Sequence, residues 1–167
     1  FVLRNPIERA FSNYLWSRKN GFETLPFEVA LEKEQKRESA YTPEHRYARP
    51  FSYISRGMYA DLLRPYLDLF HPSRVKLILL DDIVSRPQAT AQELYGFLDV
   101  PVARTCFDVT QRVNSARQPR DRMSTSAYEY QLSVYRCPNQ ELSKLIGRNL
   151  DQWNQPFTRR LFSEPLS

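Results

Sequence analysis

The sequence contains no apolar run long enough to cross a bilayer and no basic-then-apolar leader of the kind that directs secretion. It also contains no internal repeat and no low-complexity tract. These absences argue against a membrane-spanning protein, a repeat protein and a low-complexity chain. We therefore expect a soluble single domain over residues 1–167 without a linker. A cytoplasmic location is a separate expectation.

Cysteine and histidine are scarce: the chain has Cys106, Cys137, His45 and His71 and no others. Their spacing matches no zinc-ligand pattern, so we predict no metal site. A disulfide between the two cysteines stays open as an alternative, but free buried thiols are the preferred interpretation. Both histidines are interpreted as surface side chains and not as catalytic groups.

Charge is modestly positive, with 24 basic and 19 acidic side chains and a net charge of +5. This excess suits an anionic ligand, but it is too small to indicate a dedicated nucleic-acid-binding protein. Hydrophobic residues make up 41% of the chain and aromatic residues 13%, which is enough for a packed core. We predict a globular domain that binds an anion and no nucleic acid.

The N-terminal segment predicts a strand followed by a helix. The apolar residues 1–3 are typical of the end of a buried strand, while Asn5 and Pro6 supply an N-cap and a first-turn proline. We expect the helix from about Pro6 to Arg18, with Gly21 after it. Because the sequence opens inside a strand, we also expect it to be part of a larger domain.

The next segment predicts a second helix, capped by Thr24, with an apolar stripe formed by Phe27, Ala30 and Leu31. The charged run "EKEQKRES" at 32–39 is interpreted as a solvated face. Residues 41–56 hold prolines, arginines and aromatic residues without periodicity. They predict an irregular loop that is either a surface excursion or a ligand-facing segment.

The middle of the chain alternates helix and strand signals. A third helix is expected after Gly57, kinked or divided by Pro65. The run "VKLILL" at 75–80 predicts a strand covered on both faces, as in a parallel sheet. A helix is then expected over Pro87–Leu98. Its inward-facing residues are expected to be Leu94, Phe97 and Leu98.

The C-terminal part begins with a basic stretch at 111–122, followed by two predicted helices at about 124–136 and 138–147. The order of strands and helices is that of an α/β protein, with connections long enough for parallel crossovers.

Arg4 and Ser12 are the first candidate binding residues. An arginine offers a phosphate two parallel charged donors, and a serine hydroxyl adds a third. A continuous helix would separate them by about 12 Å, at roughly 1.5 Å per residue. The Asn5-Pro6 break lets Arg4 leave the helix axis. From spacing alone a purely structural role for both residues stays open.

The segment "LRNPIERAFSNY" at 3–14 resembles the 3′-phosphate-binding segment of sulfotransferases that use 3′-phosphoadenosine 5′-phosphosulfate (PAPS). In that family a strand ends in Arg-Asn/Asp-Pro, and a serine follows eight residues after the arginine. Three further segments are similar to the bacterial and glycan-type branch in the same order. They are "ISRGMYADLLRPYLDLF" at 54–70, "RVKLILLDDIVSRPQATAQELYGFLDVP" at 74–101 and "YRCPNQELSKLIGRNLDQW" at 135–153.

The resemblance implies a P-loop NTPase-like, three-layer α/β fold with a parallel central sheet, truncated at the N-terminus and rich in helices. It implies that Arg4 and Ser12 bind the 3′-phosphate of the cofactor. It places a basic cofactor loop at 114–122, with Arg117 and Arg120 as contacts. The usual Lys-Gly-Arg form of that loop is absent from this sequence.

The same resemblance implies that the 5′-phosphosulfate loop and the catalytic base precede Phe1, so no catalytic residue is assigned. The implied reaction transfers a sulfuryl group to a hydroxyl or amine of a carbohydrate, lipid or small-molecule acceptor. Arginines and aromatic residues between Tyr41 and Tyr59 are candidates for the acceptor wall.

Two alternatives remain open. A P-loop-type nucleotide kinase would share the fold type, and its Mg²⁺ would need carboxylates such as Asp81 and Asp82. A non-catalytic module could instead use the basic loop to bind an acidic glycan or protein.

Overall fold

The computed structural model describes residues 1–101 and 123–156, and it describes His45 and Arg46 by their backbone alone. These residues belong to two compact units. Unit 1 comprises Phe1–Arg4 and the described part of Leu63–Ser115, and unit 2 comprises Asn5–Leu62 and the described part of Ala116–Ser167. A single domain over residues 1–167 stays a prediction.

The described residues form two short strands and a series of helices. In chain order these are β1 (Val2–Leu3), α1 (Pro6–Lys19), α2 (Phe27–Glu32), α3 (Glu34–Ser39), α4 (Pro43–Ala48), α5 (Tyr59–Leu69), β2 (Ile78–Leu79), α6 (Leu80–Ser85), α7 (Pro87–Leu98) and α8 (Thr125–Ile146). Short 3₁₀ helices lie at Ser55–Gly57, Pro72–Arg74 and Asp151–Asn154. No described helix is both long enough and apolar enough to span a membrane.

The two strands of unit 1 pair in parallel, with Val2 opposite Ile78 and Leu3 opposite Leu79. A parallel pair was expected, but the strand expected at 75–80 has only two residues. Helix α6 then begins at Leu80. Asp81 lies in its first turn, where the positive end of the helix dipole stabilises a negative charge.

Helix α7 has the bounds that the sequence predicts. The expected burial of one face is wrong, however, because Leu94, Phe97 and Leu98 are 38%, 36% and 55% exposed. Hydrophobic spacing shows which side chains share a face, but it does not show whether another element covers that face. The helix ends at Leu98, and its C-cap residue, Asp99, has a left-handed backbone with φ of 54°.

Helix α1 of unit 2 agrees with the sequence prediction to within one residue. The Asn5 side chain accepts a hydrogen bond from the Ile7 N–H at 3.0 Å, so the N-cap forms as expected. The helix ends at Lys19, and Gly21 follows with φ of 75°, a conformation that glycine adopts without strain.

Two helices continue through a proline. Helix α8 runs unbroken over Thr125–Ile146 with Pro138 inside it, so the prediction of two separate helices is wrong. Helix α5 likewise continues through Pro65, so it is not divided. An interior proline removes one backbone hydrogen bond, and in α8 the packing of a buried face that extends on both sides of Pro138 compensates for that loss.

The main core lies in unit 2, between α1, α2, the segment around Tyr53 and the first half of α8. It contains Ile7, Ala10, Phe11, Tyr14, Leu15, Phe27, Ala30, Leu31, Tyr53, Met123, Ala127, Tyr128, Leu132 and Tyr135. Cys137 lies outside this core and is exposed, so the buried-thiol interpretation is wrong for this residue. Cys106 lies outside the described residues.

The segment between α1 and α5 differs most from the sequence prediction. Helix α2 starts at Phe27 with Pro26 as its N-cap residue, so Thr24 is not the cap. The charged run at 32–39 includes all of α3 and is not simply a solvated face, because Glu34 is buried. The loop expected at 41–56 contains a helical turn, α4.

Candidate functional site

Arg4 is the last residue of the first segment of unit 1, directly after β1. It is half-buried, and the next residue is the N-cap of α1. The strand end and the capped helix start therefore form at the positions that the sequence predicts.

Ser12 lies in the second turn of α1, in unit 2. It is half-buried, and no described residue forms a hydrogen bond with its hydroxyl. Because Arg4 and Ser12 belong to different units, their joint contact with one phosphate stays a prediction.

The other candidate residues have different outcomes. Arg117, Arg120 and the rest of the basic loop at 114–122 lie outside the described residues. The His45 side chain is also not described. His71 is exposed, and its Nδ1 accepts a hydrogen bond from the Ser73 N–H at 3.3 Å, which caps a 3₁₀ turn. Its expected surface position is confirmed.

Asp81 and Asp82 lie in the first turn of α6. Asp82 pairs with Arg86 at 3.4 Å between Oδ1 and Nε, and Arg86 also pairs with Glu93 at 2.7 Å. In the described ranges 1–101 and 123–156, no cluster of three or more His, Cys, Asp and Glu side chains is placed to hold a metal ion.

Two carboxylates of α3, Glu34 and Glu38, bind the segment that leads into the Ser55–Gly57 turn, a role that no sequence pattern indicated. Glu34 accepts hydrogen bonds from the backbone N–H groups of Ile54 at 2.6 Å and Ser55 at 2.8 Å. Glu38 accepts a hydrogen bond from the Ser55 hydroxyl at 2.6 Å and another from the Ser52 hydroxyl. Burial raises the pKa of Glu34 despite its two backbone donors.

Three arginines lie close together around this segment, and we call them the arginine cluster: Arg9, Arg49 and Arg56. Arg9 belongs to α1 and donates from Nη2 to the Tyr53 carbonyl. Arg49 has a left-handed backbone with φ of 45°, which is unusual for a residue with a side chain. Its guanidinium lies 3.4 Å from Glu38.

Arg56 is the exposed member of the arginine cluster. The pKa of Arg56 is lowered. The largest cause is the partial loss of solvent around its guanidinium, and the positive charges of Arg9 and Arg49 lower the pKa further. No described residue forms a salt bridge with Arg56, and the buried Nε of Arg9 has no hydrogen-bond partner among the described residues. The cluster therefore holds charged donors that the described chain does not satisfy.

A second buried network lies beside the cluster. The Glu23 carboxylate accepts hydrogen bonds from Arg37 at 2.7 Å, from the Tyr53 hydroxyl at 2.7 Å and from the backbone N–H groups of Thr24 and Leu25. Burial alone would raise the pKa of Glu23, but these donors outweigh it and the pKa is lowered. The Arg37 guanidinium also lies 3.6 Å from the centre of the Phe51 ring.

Comparison with protein families identifies a sulfotransferase domain over residues 1–160. The chain belongs to the sulfotransferase domain family. A similar solved structure is the crystal structure of a sulfotransferase from Alicyclobacillus acidocaldarius, with 29% sequence identity and a TM-score of 0.74. The match covers 92% of this chain and 56% of that chain. A comparison with curated proteins finds no match.

The resemblance noted in the sequence is thus confirmed at the level of the family. This sulfotransferase domain has a sulfotransferase-like fold, with mostly helical elements and a small parallel sheet. It spans little more than half the length of the structure it matches. The family assignment favours the sulfotransferase interpretation over the nucleotide-kinase alternative.

Proposed function

We propose that this sulfotransferase domain binds PAPS and takes part in transfer of its sulfuryl group to an acceptor hydroxyl or amine. The observation that carries the proposal is the family match over residues 1–160. The segment "LRNPIERAFSNY" supports it, because a strand precedes Arg4 and a capped helix begins at Pro6. The finer fold assignment, a P-loop NTPase-like three-layer arrangement, belongs to the same proposal.

In the proposed cofactor site, Arg4 supplies two parallel charged donors to the 3′-phosphate and the Ser12 hydroxyl supplies another. Arg4 and Ser12 are each only half-buried, which supports this role because neither side chain is enclosed in the core. Arg117 and Arg120 would add positive charge from the basic loop. The 3′-phosphate distinguishes PAPS from ordinary adenine nucleotides, so these contacts would determine cofactor choice.

In the proposed reaction the acceptor oxygen or nitrogen attacks sulfur, and the bond from sulfur to the bridging phosphate oxygen breaks. The acceptor proton goes to a general base, and 3′-phosphoadenosine 5′-phosphate (PAP) leaves. No described residue is assigned as that base. The acceptor class proposed from the resemblance is a carbohydrate, a lipid or a small molecule.

The test is a calorimetric titration of the full-length protein with PAP, and with adenosine 5′-phosphate as the ligand that lacks the 3′-phosphate. We expect Arg4→Ala to weaken PAP binding by about 2 kcal/mol or more, as when a charge-assisted hydrogen bond is removed. Arg64→Gln, an exposed arginine on α5, is the matched control and should leave PAP binding unchanged.

PAP binding that is unaffected by Arg4→Ala would overturn the cofactor site and favour a non-catalytic anion-binding module. Activity that requires ATP and Mg²⁺ would instead favour the kinase alternative. Transfer from PAPS in the presence of a chelator of divalent cations is the result that the proposal expects.

A further inference from the structure

The arginine cluster, Arg9, Arg49 and Arg56, is not accounted for by the proposed cofactor contacts. Its members come from α1, from the loop after α4 and from the Ser55–Gly57 turn. Arg9 contacts the Tyr53 carbonyl, and Glu38 contacts both Arg49 and the hydroxyl of Ser55, the residue directly before Arg56. Residues so far apart in sequence are brought together only by the tertiary structure. The positive charges of Arg9 and Arg49 both act on Arg56, and such like charges repel one another, which is unfavourable unless an anion compensates them.

The structure holds the cluster in place through several independent contacts. Arg9 and the Tyr135 hydroxyl both donate to the Tyr53 carbonyl, the latter at 3.2 Å. Glu34 holds the backbone of Ile54 and Ser55, directly before Arg56. Side chains of Arg9, Tyr135 and Glu34 therefore hold the backbone directly before Arg56 in one position. Such support is typical of residues in a binding site.

The nearby negative charges do not neutralise the cluster. Glu38 lies 3.4 Å from Arg49, but it also accepts hydrogen bonds from the Ser52 and Ser55 hydroxyls. Glu34 directs both carboxylate oxygens at backbone N–H groups. The guanidinium of Arg56 and the Nε of Arg9 remain without an anionic partner among the described residues.

The left-handed backbone of Arg49 gives independent support. A non-glycine residue with φ of 45° carries conformational strain, and such strain is found disproportionately at binding and active sites. The strained backbone of Arg49 is therefore consistent with a role of this residue in binding a ligand.

We propose that Arg9, Arg49 and Arg56 form a binding site for an oxyanion carried by the acceptor: a sulfate, phosphate or carboxylate group. This inference rests on the proposed sulfotransferase function, because the 3′-phosphate is assigned there to Arg4 and Ser12 and leaves the cluster without a ligand. The acceptor is then an acidic molecule, and the Phe51 and Tyr53 segment lies beside its anionic group.

The test uses the full-length protein saturated with PAP, so that cofactor phosphate sites are filled. Inorganic sulfate replaces chloride at constant ionic strength, and the melting temperature is recorded at each concentration. We expect sulfate to raise the melting temperature of the wild type. Arg56→Gln should weaken the apparent sulfate affinity by about tenfold or more, because one charge-assisted contact is lost.

Two controls separate a specific site from general screening. Arg64→Gln removes the same charge from an exposed position on α5 and should leave the sulfate response unchanged. Arg56→Lys keeps the charge without the planar fork and should retain part of the response. An equal loss in Arg64→Gln and Arg56→Gln, or no loss in Arg56→Gln, would overturn the proposal.

The cofactor gives a further control. Sulfate binding that disappears when PAP is added would show that the cluster serves the cofactor, which also overturns the acceptor assignment. Arg56→Gln should bind PAP as the wild type does, whereas Arg4→Ala should not. If the wild type fails to bind PAP, the proposed function fails, and the sulfate titration of Arg56→Gln without PAP still tests the cluster by itself.

Discussion

The ring of Tyr135 lies directly against the backbone of Gly57, where a Cβ atom would come within 2.7 Å of its Cε1 and Cζ atoms. The Tyr135 hydroxyl donates to the Tyr53 and Ile54 carbonyls at 3.2 and 3.0 Å. Helix α8 is thus joined to the segment that carries Arg56 by ring packing and by hydrogen bonds. Glycine is required at this position because of the close approach, not because of its backbone angles.

We expect Gly57→Ala to lower the free energy of unfolding by about 1–3 kcal/mol, since the buried Tyr135 ring must move to admit a methyl group. Gly96→Ala is the matched control: no atom lies within 4 Å of its Cβ position, and the residue is inside α7. That variant should be neutral or more stable by up to about 1 kcal/mol. Chemical denaturation measures both, and equal stability of the two variants would contradict the packing argument.

The Glu23 network should contribute strongly to stability. The Glu23 side chain is 0% exposed and its partner Arg37 is 20% exposed, so Glu23→Gln leaves a poorly solvated guanidinium without its anion. We expect a loss of about 3 kcal/mol, as for a broken buried ion pair. Tyr53→Phe removes a single donor and should cost about 1 kcal/mol.

Glu32→Gln is the control for this network, because Glu32 is an exposed carboxylate of α2. A surface substitution of this kind should change the free energy of unfolding by less than about 0.5 kcal/mol. Urea unfolding of the three variants under one condition tests the ranking. A Glu23→Gln variant as stable as Glu32→Gln would show that the network contributes little.

Glu34 should give the protein a pH dependence of opposite sign to that of Glu23. The folded-state pKa of Glu34 is raised above 4.5, so the folded state binds its proton more tightly than the unfolded state does. Its contribution therefore lowers the free energy of unfolding as pH rises from about 4.5 through the raised folded pKa. The folded-state pKa of Glu23 is lowered, so the stabilising contribution of Glu23 to the free energy of unfolding is lost as pH falls below 4.5.

The measurement is the free energy of unfolding of the wild type and of Glu34→Gln as a function of pH, on both sides of the ordinary carboxyl pKa of 4.5. Glutamine offers one acceptor oxygen in place of two, so the variant should be less stable by about 1–3 kcal/mol. The difference between wild type and variant should shrink as pH rises from 4.5. A difference that grows over that range would have the wrong sign for a raised pKa.

Ser12 should contribute less than Arg4 to the proposed cofactor site. A neutral hydroxyl donor to phosphate is weaker than a guanidinium fork, so Ser12→Ala should reduce PAP affinity by about 1 kcal/mol against 2 kcal/mol or more for Arg4→Ala. Ser133→Ala is the control, an exposed serine of α8 whose hydroxyl donates to the Tyr130 carbonyl within the same helix. Calorimetry with PAP gives the ranking, and a larger loss for Ser12→Ala than for Arg4→Ala would contradict the assigned roles.

Local sequence features predicted the helices well where the deciding contacts are local. The Asn5 cap, the first-turn Pro6 and the bounds of α7 formed as expected, because caps and first turns involve residues only a few positions apart. The same local rules failed at Pro138, where α8 continues through a residue that usually interrupts a helix, and α5 is likewise not divided at Pro65. In α8 the packing of the buried face outweighs the local loss.

Sequence patterns alone predict α1 with its cap, a parallel arrangement of strands and the resemblance to sulfotransferases, because the residues of each cap, strand and motif are close together along the chain. Contacts between distant segments establish that Glu34 is buried, that one face of α7 is exposed and that the arginine cluster forms. Burial and charge clustering depend on which distant segments meet. Periodicity and spacing within one segment carry no information about that.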